Sequence, residues 1–206
     1  MRAAVLASGR GSNLQALLEA GKRENYPLEI VCVGTDQPDA GALRRAAEAG
    51  IPGRVFWLRD FSSRLEQEEA ILRWLKDYRV ELLLLAGYMK VLSGQFIRQA
   101  GFPILNIHPS LLPAFPGLHA QRQALEYGAK VSGCTVHLVD EHLDGGPIIL
   151  QEAVPVLAGD TAESLAERIL EAEHRIYPEA VRLLILGKLR LEGRLVEIVH
   201  EGGNIR

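Results

Sequence analysis

Arg2-Ala3-Ala4-Val5-Leu6-Ala7-Ser8-Gly9-Arg10-Gly11-Ser12-Asn13 begins as an apolar run, turns at two glycines and enters an amphipathic segment that extends to Ala20 and ends at Gly21. A short apolar run bounded by glycines predicts a buried strand, and the 3.6-residue spacing that follows predicts a helix. The same alternation continues downstream. Leu28 to Gly34 reads as a strand and Ala40 to Ala49 as a helix, with Gly50 where a C-cap glycine belongs. Arg54 to Leu58 is a shorter strand, Arg64 to Tyr78 a helix, Leu82 to Ala86 a buried strand and Ile104 to His108 the next one. Strands that alternate with helices imply right-handed crossovers and a parallel sheet covered on both faces. The expected fold class is α/β: an open, mostly parallel twisted sheet with helices on both faces.

The second half changes pattern. Gln121 to Tyr127 predicts a short helix closed by Gly128, and Val131 to Val139 and Pro147 to Val156 predict two longer antiparallel strands added to the sheet. A capping box of Asp160 with Glu163 opens a long helix through Leu184, which Pro178 kinks or divides. Leu189 to Leu191 and Leu195 to Val199 form a hairpin around Gly193. No repeat or low-complexity linker interrupts the chain, so 1–206 is expected to be one domain. It comprises a phosphate-binding, Rossmann-like half (1–100) and a half carrying most of the chemistry (101–206).

Composition narrows the function. With 206 residues and 48% hydrophobic content, the chain can bury one sizeable core. Its 23 basic and 26 acidic residues give a net charge of −3, without a basic run, which argues against a nucleic-acid or acidic-membrane partner. Cys32 and Cys134 lie in separate apolar runs and read as reduced core residues. The N-terminal apolar run is too short for a signal peptide, and no stretch approaches the roughly 20 residues that span a bilayer. A cytoplasmic protein is expected.

Ser8 to Asn13 joins the first strand to the first helix, where open α/β sheets bind ligands and a helix N-terminus offers unpaired amides. Leu14 stands where a dinucleotide fingerprint wants glycine, and no Walker A lysine is present. The loop therefore suits one phosphate ester, or it is simply a tight turn with a helix cap. At the other functional stretch, Asn106-Ile107-His108-Pro109-Ser110-Leu111-Leu112-Pro113, an amide and an imidazole two residues apart emerge on one strand face. Pro109 keeps His108 extended. Asp144, in Leu143-Asp144-Gly145-Gly146-Pro147, is the candidate acid, and its charge would favour a cationic His108. Donors of this kind can steady a carbonyl oxygen that becomes negative, and a carboxylate can take the proton from an attacking amine. His137 shares a strand face with Thr135, so the two are candidate supports for the catalytic residues. A zinc site of His137, His142 and Asp144 lacks any HExxH or CxxC pattern, and no metal is expected. A strand-end histidine or an Asp-Gly-Gly turn taken alone is as readily structural as catalytic.

Together these segments closely resemble the phosphoribosylglycinamide formyltransferase family of folate-dependent enzymes. The resemblance also takes in Ala86-Gly87-Tyr88-Met89, Pro116-Gly117-Leu118-His119, Thr135-Val136-His137, Glu173-His174 and Tyr177-Pro178. It implies formyl transfer from 10-formyltetrahydrofolate, as cosubstrate, to the amine of 5'-phosphoribosylglycinamide in purine synthesis. Asn106, His108 and Asp144 would be the catalytic trio. Gly11, Ser12 and Asn13 would hold the substrate phosphate, and Glu173 its ribose. Arg64, Met89, Lys90, Val91, Leu92 and Asn106, with Asp140, Glu141, His142, Leu143 and Asp144, would line the folate site in 101–206 and the adjoining loops. The implied partners are small molecules, with the protein a monomer or weak homodimer. Glu173 has support of its own, since it extends the apolar stripe of Ala162, Leu165, Ala166, Ile169 and Leu170. Lys90, Gln121, Thr135 and Leu170 depart from residues seen in some relatives. A formyltetrahydrofolate hydrolase and a silent phospho-metabolite sensor are the alternatives.

Overall fold

The computed structural model describes residues 1–199. Its main sheet is built from β1 (Arg2–Leu6), β2 (Glu29–Thr35), β3 (Gly53–Val55), β4 (Leu82–Leu85), β5 (Ile104–His108), β6 (Val131–Leu138) and β7 (Ile148–Pro155). Their order across the sheet is β3-β2-β1-β4-β5-β6-β7. Pairings from β3 through β5 are parallel, whereas β5–β6 and β6–β7 are antiparallel. The α/β sheet expected from the sequence is thus observed. Chain order reverses at β1, between β2 on one side and β4 on the other, and such a switch point opens a crevice at the strands' carboxyl ends.

Alternation along the strands divides the apolar residues between two cores. Ala3, Val5, Leu82, Leu84, Leu105 and Ile107 face one side, against α1 (Ser12–Gly21) and α6 (Ala162–Ile185). Ala4, Leu6, Leu83, Leu85 and Ile104 face the other, against α3 (Arg64–Asp77). Cys32 and Cys134 are buried, free thiols, and burial pushes both up to about 12, which keeps them protonated and inert. Among the described residues, no helix is long and apolar enough to cross a membrane.

Some local expectations need correction. β3 stops at Val55 instead of reaching Leu58, because Leu58–Asp60 winds into a 3-10 turn. The short helix Gly94–Ala100 was not anticipated from the sequence, although Ser93 caps its start and Gly101 (φ 71°) ends it. The capping box of the long helix is formed by Thr161 and Ser164, not by Asp160 and Glu163. Asp160 is instead held by both guanidinium nitrogens of Arg168 (2.8 and 2.9 Å) and by the Leu157 amide. A bidentate Arg contact outcompetes a single capping bond. Pro178 does not divide α6, which runs on to Ile185, and the Pro178 carbonyl accepts a hydrogen bond from the Tyr26 hydroxyl. Leu189–Glu192 and Leu195–Ile198 form the expected hairpin.

Candidate active site

Register brings the predicted catalytic residues together. Asn106 pairs with His137 and His108 with Thr135 across β5–β6. All four side chains therefore stand on one face, on the side of the sheet to which Ile104 also belongs. Asp144 arrives from the loop after β6, with its own φ at 48°, a left-handed conformation that Asp tolerates better than most residues. Its Oδ2 accepts from the Gly117 amide at 2.7 Å and lies 3.4 Å from His108 Nδ1. Its Oδ1 is 3.8 Å from His137 Nε2 and has the freer environment of the two oxygens. The trio drawn from separate segments does converge.

Carbonyl oxygens only accept, and this fixes the protons on both histidines. His108 Nε2 lies 2.9 Å from the Phe115 carbonyl and so carries a hydrogen, while its Nδ1 faces a carboxylate. A ring protonated on both nitrogens satisfies both partners. His137 Nδ1 lies 2.8 Å from the Leu138 carbonyl, so the neutral ring presents a bare Nε2 to the Asn106 amide nitrogen at 3.2 Å. Burial, the largest influence, lowers the His137 pKa from the ordinary histidine value, in keeping with that neutral form. The Asn106 amide is thereby oriented with its nitrogen inward, one hydrogen on His137 and the second open to a ligand. The Thr135 side chain forms no hydrogen bond to the trio. Its hydroxyl donates to Ser110 O at 2.7 Å and accepts from the Leu112 amide and from Gln151, pinning the Pro-rich loop beside His108.

At the switch point, Gly11 has φ 73° and its added Cβ would lie 2.8 Å from Ala42 Cα, so only glycine fits there. It precedes α1, whose first amides at Ser12 and Asn13 lack intrahelical partners. The side chain of Asn13, one of the residues implied to hold the phosphate, is engaged within the protein: its amide nitrogen donates to Glu173 Oε2 at 2.7 Å, while its Oδ1 is buried without a partner among the described residues. Glu173 is 6% exposed. Burial pushes its carboxyl up to about 7, against the opposing pull of the Asn13 hydrogen bond.

A stability signature follows from this carboxyl. Because the folded value lies above the unfolded one of 4.5, its contribution is fully present below pH 4.5 and is lost as pH rises through about 7. Glu173→Gln should therefore flatten the fall in melting temperature over that window, removing a component of up to ~3 kcal/mol. Melting curves that keep the same pH slope in the variant would show that Glu173 does not titrate there.

The residues expected on the donor side come from the start of α3 (Arg64), the segment after β4 (Met89 to Leu92) and the loop after β6 (Asp140 to Asp144). Met89, Val91, Leu118 and Leu143 are each more than half exposed, an apolar set that a flat aromatic ligand could cover. Lys90 is exposed, while Leu92 is buried in the core with Phe96. Arg64 donates to Glu68 at 3.1 Å and to the Val91 carbonyl, so it braces the Met89–Leu92 segment. Asp140 accepts from the His142 amide, and Glu141 is paired with Arg98 at 2.5 Å. His142 is exposed. Gly146 closes the loop where a Cβ would lie 1.8 Å from Leu138 O. Among the described residues, no group of His, Cys, Asp and Glu is arranged to hold a metal ion.

Residues 1–181 match the family model described as formyl transferase. The chain belongs to the formyl transferase family. A phosphoribosylglycinamide formyltransferase from Haemophilus influenzae is 43% identical over 93% of this chain and 91% of its own length. The trifunctional purine biosynthetic protein adenosine-3 of Gallus gallus is 48% identical over 93% of this chain, which spans only 19% of that longer protein. The crystal structure of glycinamide ribonucleotide transformylase 1 from Symbiobacterium toebii superposes with a TM-score of 0.93 at 51% identity, covering 97% of this chain and 94% of its own.

Several groups in the candidate site carry no assigned role in the sequence. Phe115 and Gly117 hold His108 and Asp144 through backbone atoms, and in the sequence only the Pro116-Gly117-Leu118-His119 stretch of the family resemblance lies there. Gln151 donates from β7 to both Leu112 O and Thr135 Oγ1 (2.9 Å each), and Glu68 accepts from the Ser93 amide. Neither contact has a sequence signal, because each depends on elements brought together by the fold.

Proposed function

We propose that this formyltransferase moves the formyl group of 10-formyltetrahydrofolate to the amine of 5'-phosphoribosylglycinamide, a step of de novo purine synthesis. The observation that carries this reading is the convergence of Asn106, His108 and Asp144 at one face of the sheet, in a chain that also has the Gly11 loop at the switch point and exposed apolar side chains at Met89, Val91, Leu118 and Leu143. Residues 1–100 would hold the phosphate end of the acceptor, while 101–206 would carry the chemistry and most of the donor contacts; 200–206 lie outside the described residues. The names of the relatives support the acceptor, and the apolar set suits a pterin and its aromatic linker.

In this mechanism the uncharged acceptor amine attacks the formyl carbon directly. A bond forms between amine nitrogen and carbon, and the carbonyl electron pair moves to oxygen. The open hydrogen of Asn106 donates to that oxyanion, and a cationic His108 stabilises it. The 3.4 Å contact between His108 Nδ1 and Asp144 is long, and it can give way to the incoming oxygen. Asp144 Oδ1 takes the amine proton, directly or through water. Collapse of the intermediate then breaks the bond from the formyl carbon to N10 of the folate, and N10 receives the proton that Asp144 took from the amine, directly or through water. Holding amine and formyl group in one cleft supplies further acceleration through orientation.

Incubation with 10-formyltetrahydrofolate, with and without glycinamide ribonucleotide, tests the reading. The formyl group should be lost only when the acceptor is present, with formylated acceptor as product. Formate released without acceptor would mark a hydrolase. Binding of the ribonucleotide with no loss of formyl would mark a sensor.

A further inference from the structure

We propose that Arg45, on α2 (Gly41–Glu48), is a positioning residue for acceptor phosphate binding: it holds the Arg10–Gly11 peptide plane with its carbonyl turned out of the anion cradle. This rests on the proposed function, since it concerns the phosphate end of that acceptor.

The loop's carbonyls are the starting point. Gly9 O accepts from the Ala42 amide at 3.3 Å, and Arg10 O accepts from Arg45 Nε at 3.0 Å. Both oxygens therefore point towards α2. In a trans peptide the N–H and C=O lie on opposite sides of the bond, so the amides of Arg10 and Gly11 point away from α2. Successive amides turned to one side, followed by the unpaired amides at the start of α1, make a concavity for an anion.

Two contacts hold Arg45 itself in place. Its Nη1 donates to Gln15 Oε1 at 3.0 Å, and Gln15 in turn donates to Glu19 at 3.0 Å. One half-buried guanidinium thus bridges the cradle loop to the first turns of α1. Without it, the Arg10 carbonyl loses its only side-chain donor among the described residues. That oxygen could then rotate towards the phosphate and replace attraction with repulsion.

Kinetics with two acceptors test this: glycinamide ribonucleotide and the same compound without its phosphate. Arg45→Met should raise KM for the phosphorylated acceptor about tenfold or more, as expected for loss of a charge-assisted hydrogen bond, with kcat changed less than about threefold. KM for the dephosphorylated acceptor should not move. Arg45→Lys, which keeps a cationic donor, should recover part of the difference. Inorganic phosphate should also inhibit Arg45→Met less well than the parent protein. An unchanged KM for the phosphorylated acceptor, or equal losses with both acceptors, would overturn the assignment of Arg45 while leaving formyl transfer intact. If the parent protein formylates neither acceptor, the functional proposal fails instead.

Discussion

Asn106→Ala should lower turnover by ~10²–10³-fold, equivalent to about 3–4 kcal/mol of transition-state stabilisation, with much smaller effects on either KM. The expectation follows from the orientation of the amide. His137 presents a bare nitrogen to one Asn106 hydrogen at 3.2 Å, leaving the other fixed and open before the oxyanion forms. A donor held in advance needs no reorganisation as charge develops, and alanine removes it without disturbing the apolar packing of Leu105 and Ile107 on the opposite face. His137 couples to the same effect. Because burial lowers its pKa, its protonation occurs below the ordinary histidine range, where a second donor would then confront the amide. Turnover should fall along that acid limb in the parent protein, and the limb should be weaker in Asn106→Ala. Steady-state activity within threefold of the parent would remove Asn106 from the mechanism.

Asp144→Asn should cost about 10²–10⁴-fold in turnover, the range for losing a positioned proton acceptor. The substitution isolates charge from shape. Asn is as tolerant as Asp of a left-handed backbone, and its amide oxygen can still accept from the Gly117 amide. What disappears is the carboxylate facing His108 Nδ1 at 3.4 Å and the free Oδ1 that would receive the amine proton. Single-turnover rates with saturating substrates would measure the chemical step. A variant that keeps parental rates would assign proton removal to solvent and leave Asp144 a structural turn residue.

The fold was legible because each strand announced itself twice. Ala3 to Leu6 and Leu82 to Leu85 are apolar on both sides, as a sheet covered by helices requires, and glycines such as Gly50 and Gly128 mark helix ends. The helix Gly94–Ala100 went unread since its seven residues are too few to establish a period. Asp160 shows a different limit. A local capping motif was plausible in sequence, but Arg168, two turns along the helix, took the carboxylate. Within the site, Asn106, His108 and Asp144 could be singled out as chemistry-bearing types at telling positions. The partners that tune them could not. Phe115 and Gly117 act through backbone atoms, and Asn13 meets Glu173 from 160 residues away, so neither residue type nor spacing carries the contact.

The tight return of the chain at Gly146 bears on how this protein could be adapted. Asp144 is tethered to Gly117, and Gly146 is pressed so closely on Leu138 that no side chain fits, so the stretch between Asp140 and Asp144 is fastened at its far end. Glu141, His142 and Leu143, all exposed, form a short arch whose crown can be rebuilt without shifting its abutment. Libraries randomised at those three positions should yield folded variants with altered preference among donor analogues, whereas changes at Gly146 should remove activity together with the native loop.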